Sequence, residues 1–312
     1  MPPARQLSPR VVASCVVVLV VVLAMVLGLT ESNFVDSGNP FFDTSAAKGP
    51  GGSSSADAGK QHRSPAPSAP PSTVPSKEGS TPGSTSPPPM ESTPQGTPTT
   101  VLHYTFDSSA VTTYTDIASR LTLHEQTAQG ATLTAVPHGS GFAVGFPAPC
   151  PTYGAPECPR AVLTSEPAPW LNPGARDIRY GASILLAADA TTKGENILQK
   201  GLSTTGESQF KLQVDGYTGQ PSCVMVGINS HDIHVALSSR TVADGAWHQL
   251  SCFRTADVLA ILMDGQTVGS VLIPATLAIN NDRPLEIGGN GSGPGNDQFN
   301  GQLDDVFVQI LG

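Results

Sequence analysis

Carboxylates and imidazoles are the side chains of this chain that could do chemistry, and their spacing decides of what kind. His231-Asp232-Ile233-His234 suggests a metal site. On a strand, however, residues i and i+3 point to opposite faces, so the two imidazoles cannot share an ion and read as surface groups. Glu125, Glu157, Glu166, Glu195, Glu207 and Glu286 occur one at a time, as solvated acids do. A retaining glycosidase needs two carboxylates about 5–5.5 Å apart, and scattered single acids do not announce such a pair. Gly-x-Ser-x-Gly, the P-loop, the dinucleotide glycine fingerprint and His-Glu-x-x-His do not occur. No catalytic residue is assigned, and the chain reads as a non-enzyme.

The charge balance points the same way, toward binding outside the nucleic-acid world. The chain of 312 residues has 16 Lys+Arg against 25 Asp+Glu, a net charge of −9. A polyanion binder needs a cationic face, so nucleic acid is excluded as a partner. Residues 1–30 carry Arg5 and Arg10 and no acid; residues 101–312 carry ten bases and nineteen acids. The acidic part is therefore the C-terminal part.

Val11 to Leu29 is a run of 19 uncharged residues. As a helix rising ~1.5 Å per residue it spans about 28 Å, close to a hydrocarbon core of roughly 30 Å. A cleaved signal peptide is the rival, but its apolar region is shorter and no small-x-small cleavage site follows Leu29. Arg5 and Arg10 precede the span, which puts residues 1–10 in the cytoplasm and the C-terminus outside. The expectation is a single-pass cell-membrane protein held by its own helix at 11–29. Residues 30–100 are rich in Ser, Thr, Pro and Gly, as in SPAPSAPPSTVPS (64–76), and lack the apolar residues needed to form a core. They read as a disordered stalk.

Residues 101–312 are punctuated differently. Short apolar runs end in turn residues, and no stretch shows helical recurrence. Strands are expected at 101–106, 131–136, 141–146, 160–165, 178–187, 196–201, 209–215, 223–227, 233–239, 247–254, 258–264, 267–273, 284–289 and 303–311. Asp264-Gly265 between two apolar runs is a tight-hairpin signal, so 247–273 should be an antiparallel meander. This density of strands predicts an all-β, two-sheet antiparallel jelly-roll sandwich. Cys150, Cys158, Cys223 and Cys252 follow the stalk. An even count outside the cell implies two disulfides with three possible pairings; Cys150–Cys158, bracketing PTYGAPE, and Cys223–Cys252 are favoured.

Four motifs in order carry a family resemblance. The domain opens with a strand ending in Phe106-Asp107. Asp244-Gly245-Ala246-Trp247-His248 precedes a strand, and Leu262-Met263-Asp264-Gly265 forms a hairpin. The chain closes with Ile287-Gly288-Gly289 and then Phe299-Asn300-Gly301-Gln302-Leu303-Asp304-Asp305-Val306. Over nearly all of 101–312 the pattern resembles the laminin G-like, concanavalin A-like lectin/glucanase family, in its membrane-anchored actinobacterial form. The Glu-x-Asp-x-(x)-Glu string of that family's hydrolases is absent. The resemblance implies an extracellular glycan or protein as partner. It also implies Ca²⁺ at the sandwich rim, held by hard oxygen donors. The candidates are Asp107, Asp304 and Asp305, with Asn290, Asn296 and Asp297 in the loop GGNGSGPGNDQF (288–299). Trp170, Tyr153, Tyr180 and Tyr217 are the candidate aromatics for a sugar face, whereas Trp247 is expected to fill the inter-sheet core. Gly301 is expected to let the last strand start without a side-chain clash, beside the first strand.

Overall fold

A computed structural model describes residues 97–108 and 113–312. The expected cytoplasmic segment 1–10, the membrane span 11–29 and the stalk up to residue 96 lie outside the described residues. Among the described residues no helix is long and apolar enough to cross a membrane.

Sixteen strands run through this part: β1 (Pro98–Tyr104), β2 (Thr113–Thr115), β3 (Thr122–Ala128), β4 (Thr134–His138), β5 (Gly141–Gly145), β6 (Arg160–Ser165), β7 (Ile178–Leu185), β8 (Gly194–Gly201), β9 (Gln209–Asp215), β10 (Gln220–Val226), β11 (Ile233–Leu237), β12 (Trp247–Thr255), β13 (Val258–Met263), β14 (Gln266–Leu272), β15 (Leu285–Ile287) and β16 (Gln302–Leu311). They form two eight-stranded antiparallel sheets. The first is ordered β14-β13-β12-β7-β16-β5-β4, with β1 also paired to β16; the second is β11-β10-β9-β8-β15-β6-β3-β2. The jelly-roll sandwich expected from the strand pattern is what the chain forms. β1 starts at Pro98, inside the span read as stalk, and pairs with β16 from Pro98↔Leu311 to Tyr104↔Val306.

Period-2 alternation builds the core. Ile178, Tyr180, Ala182 and Ile184 of β7 face Phe210, Leu212 and Val214 of β9, and all are buried in one cluster. The meander β12-β13-β14 is present. Asp264 and Gly265 turn its second hairpin with φ of 52° and 76°, the positive pair that an Asp-Gly turn favours. A Cβ on Gly301 would lie 2.3 Å from the carbonyl oxygen of Leu185, so this position admits no side chain at the start of β16. β2 and β3 went unforeseen because TLHEQTA buries only Leu123, which leaves little apolar alternation to detect.

Both disulfides pair as favoured, Cys150–Cys158 and Cys223–Cys252. The second joins β10 to β12 and so ties one sheet to the other through the core. Two expectations fail. Tyr180 is not a surface aromatic: it is 0% exposed, its ring 5.0 Å from that of Phe210 across the sheets. Trp247 does not fill the core. Leu250 and Cys252 of β12 point inward, and Trp247, of opposite parity, lies on the outer face. There its ring stacks on His138 at 3.9 Å.

Candidate functional site

Polar clusters occupy the outer face of each sheet. On the first sheet a β-bulge between Asp304 and Phe307 gives Asp305 a φ of 49°. Asp304 Oδ2 lies 2.6 Å from Nδ1 of His138, the ring that stacks on Trp247. Burial raises the Asp304 pKa against the His138 hydrogen bond. Asp305 Oδ1 lies 2.9 Å from Nε2 of His103. Asp107 reaches the same corner, its carboxylate occupying the space a side chain on Gly141 would need.

The second sheet carries a wider polar field. Thr164, Glu286, Gln199 and Lys211 are successive cross-strand partners on β6, β15, β8 and β9. Asn196, Gln213 and Ser222 form a second row on β8, β9 and β10. The side chains are chained together. Asn196 Nδ2 donates to Gln199 Oε1 (2.9 Å), and Gln199 Nε2 donates to Glu286 Oε2 (3.2 Å). Glu286 Oε1 accepts the Gly291 amide at 2.9 Å. Gln213 Nε2 donates to Asp215 Oδ1 and to Ser222 Oγ.

The loop 288–299 borders this field. The carbonyl of Asp297 accepts the Asn196 amide at 2.8 Å, and its carboxylate accepts the Tyr153 hydroxyl. Lys211 is depressed by burial, opposed by Asp297 and Asp215. Asp215 and Glu286 are raised, in each case chiefly by burial. Asn196 Oδ1 and Asp215 Oδ2 are buried and make no hydrogen bond.

The residues gathered as calcium ligands therefore fall into two places. Asp107, Asp304 and Asp305 share one corner, where imidazoles already engage Asp304 and Asp305. Asp297 and Asn290 lie in the loop over the other sheet, and the Asn290 amide closes a turn onto the Asn296 carbonyl at 2.7 Å. Among the described residues no group of three or more His, Cys, Asp or Glu is arranged to hold a metal ion. The named donors do not gather at one place. Of the aromatic candidates, Tyr153 sits against the polar field. Tyr217, 72% exposed, lies in the turn Gly216–Thr218 directly after β9. Trp170 is elsewhere, 39% exposed, with the Arg120 guanidinium 5.2 Å over its ring. His138, His103, Asn196, Gln199, Lys211, Gln213 and Asp215 were missed. The signal was present in β9: QFKLQVD alternates polar and apolar residues, so Lys211, Gln213 and Asp215 share one face.

Residues 182–309 match the laminin G-type family model described as the concanavalin A-like lectin/glucanases superfamily. No curated protein matches the chain in sequence. Among solved structures, the binding domain of Paraclostridial Mosquitocidal Protein 1 aligns with TM-score 0.49 and 12% identity, over 68% of this chain and 48% of that one. The binding domain of botulinum neurotoxin DC, solved in complex with SialylT, aligns with TM-score 0.48 and 9% identity, over 67% and 47%. Domain 4 of AbnA, a GH43 extracellular arabinanase from Geobacillus stearothermophilus in complex with arabinotriose, aligns with TM-score 0.48 and 13% identity, over 68% and 93%. The chain spans about half the length of the two toxin domains it matches. Within the sandwich the family-model match starts in β7 and ends in β16, so it includes β8, β9, β10 and β15 of the polar field but not β6.

Proposed function

We propose that this chain is a non-catalytic recognition module at the cell surface. The helix at 11–29 anchors it, the Pro/Ser/Thr-rich stalk holds the sandwich away from the bilayer, and the sandwich binds an extracellular glycan. One observation carries the reading: the outer face of the second sheet holds a cross-strand field, most of it buried, of amides, hydroxyls, carboxylates and one ammonium, the groups that recognise sugar hydroxyls. Its carboxylates belong to hydrogen-bonded chains that include Gln199, Gln213 and the Gly291 amide.

The test is a glycan array probed with the full chain in a detergent without a sugar headgroup. Retention on one or more glycans, with no cleavage of them, supports the reading. Polysaccharide cleavage that is lost on carboxylate substitution would replace it with a hydrolase, and no retention anywhere would leave a structural envelope protein. Protease treatment of intact cells checks the anchor: the sandwich should be released from outside.

A further inference from the structure

The chain of hydrogen bonds on the second sheet has a direction, and the direction leaves a gap. Asn196 gives its amide hydrogens to Gln199, so its Oδ1 is the free end, and that oxygen has no partner. Asp215 accepts Gln213 at Oδ1 and its pKa, raised by burial, is held down in part by the Ser222 hydroxyl, but its Oδ2 has no partner of its own at hydrogen-bond distance. Asn196 is 1% exposed and Asp215 9% exposed. A buried acceptor without a donor is a standing cost that native proteins rarely tolerate. Two of them occur on neighbouring strands, with Asn196 opposite Gln213 and Asp215 opposite Gly194.

Glycine at 194 lets the Asp297 carboxylate pack close beside this place. A Cβ there would come 3.3 Å from the Asp297 carboxylate. Lys211 stands within electrostatic reach of both Asp215 and Asp297. Arg160, at the same loop, commits its guanidinium to the carbonyls of Ala155, Pro156 and Ser292.

We propose that Asn196 and Asp215, with Lys211 and Asp297 beside them, form a subsite for a neutral sugar. Two of its hydroxyls donate to Asn196 Oδ1 and Asp215 Oδ2, while the Lys211 ammonium donates to a sugar oxygen. This rests on the glycan-binding reading and names its site and ligand class. The site needs donors, which a neutral polyol supplies. A sialylated or uronate glycan brings an additional carboxylate to a place where Lys211 is already balanced by two carboxylates, and it is rejected. A divalent cation would meet the Lys211 ammonium. Entry requires the Gly-rich loop 288–299 to lift, because the Asp297 carbonyl caps the Asn196 amide.

The experiment compares the full chain with Asp215→Asn, Asn196→Ala and the control Leu272→Ala, exposed on β14 of the other sheet. Each is titrated with neutral oligosaccharides and with their sialylated and uronate counterparts, with chelator or with added calcium. Circular dichroism and the melting midpoint establish that each variant is folded. Asp215→Asn retains an acceptor for Gln213 and turns the free oxygen into a donor. The expected result is binding of neutral sugars alone, weakened about tenfold by either site substitution, a change of about 1.4 kcal/mol, and unchanged by Leu272→Ala and by chelator. Neutral binding that ignores both site substitutions overturns the subsite but leaves the glycan reading standing. Preference for acidic glycans, or binding abolished by chelator, overturns the ligand class. Absence of all glycan binding overturns the reading beneath it.

Discussion

Nδ1 of His248 lies 2.8 Å from Oδ2 of Asp264, and Nε2 of the same ring lies 3.1 Å from Oδ1 of Asp244. Asp264 also accepts the Gln249 amide and Asp244 the Ala246 amide, each at 2.9 Å. Two of the motifs that carry the family resemblance therefore meet around one imidazole. Their residues close a strand entry onto a hairpin and owe their spacing to that geometry rather than to a ligand.

This clamp should make stability depend on pH. Burial opposes charge on His248, but the hydrogen bonds to Asp264 and Asp244 outweigh it and raise the imidazole pKa. Asp264 is lowered, with burial opposing and the His248 bond prevailing. The imidazole contribution is complete below about 6.5 and is lost as pH rises through the higher folded value. The carboxylate contribution is complete above about 3.9 and is lost as pH falls through the lower folded value. Between these limits the cluster stabilises most, by about 1 kcal/mol or less because the acids are half exposed. Melting curves of the protein and of His248→Gln across pH should converge above the imidazole transition. Curves that stay parallel throughout would contradict the clamp.

Glu195 should act in the opposite sense to a paired acid. It is almost fully buried, accepts the Thr192 amide at 2.8 Å through Oε1 and has no partner at Oε2. Burial, against the Thr192 and Asn300 hydrogen bonds, pushes its pKa up to about 8. Stability is then complete below about 4.3 and falls as pH rises toward the folded value. Glu195→Gln should gain on the order of 2–4 kcal/mol above pH 8 and little at low pH. Denaturant titrations of both proteins at two pH values decide the matter, and an equal gain at both would refute it.

The two disulfides should differ in weight. Cys223–Cys252 closes a longer loop than Cys150–Cys158, with separations of 29 and 8 residues, and it spans the core. Replacing Cys223 and Cys252 by Ala should cost about 2–5 kcal/mol. Replacing Cys150 and Cys158 should cost less. Chemical denaturation of the two double variants gives the comparison, and a reversed order would count against the inter-sheet role.

Tyr180 and Trp247 should exchange the importance that their residue types imply. Tyr180→Ala empties a core position and should cost about 3–5 kcal/mol. Trp247→Ala loses a surface stack on His138, about 0.5–1.5 kcal/mol. Equal losses would place Trp247 back in the core.

Most of the sandwich was legible because short apolar or alternating runs end in turn residues: RAVLTS and QFKLQVD mark β6 and β9 residue for residue. Strand β3, between β6 and the edge strand β2, was not, since most of its side chains are not buried. Trp247 misled because the motif fixes its neighbours in the turn but not its strand parity, which the register with Leu185 sets. The candidate site was half legible. Asp297, Tyr153 and Tyr217 stood out as loop acids and aromatics. Asn196, Gln199 and Gln213 did not, because an amide in a strand carries no motif and acquires meaning only when the register brings it beside another.

The pairing of β1 with β16 has a mechanical consequence. The chain enters the sandwich at Pro98 and is laced along the C-terminal strand as far as Tyr104. A pull arriving along β1 is met by that whole ladder in shear, so the rungs share the load instead of unzipping in turn. A protein tugged between a surface and a captured partner would hold its shape under such a load before its grip failed.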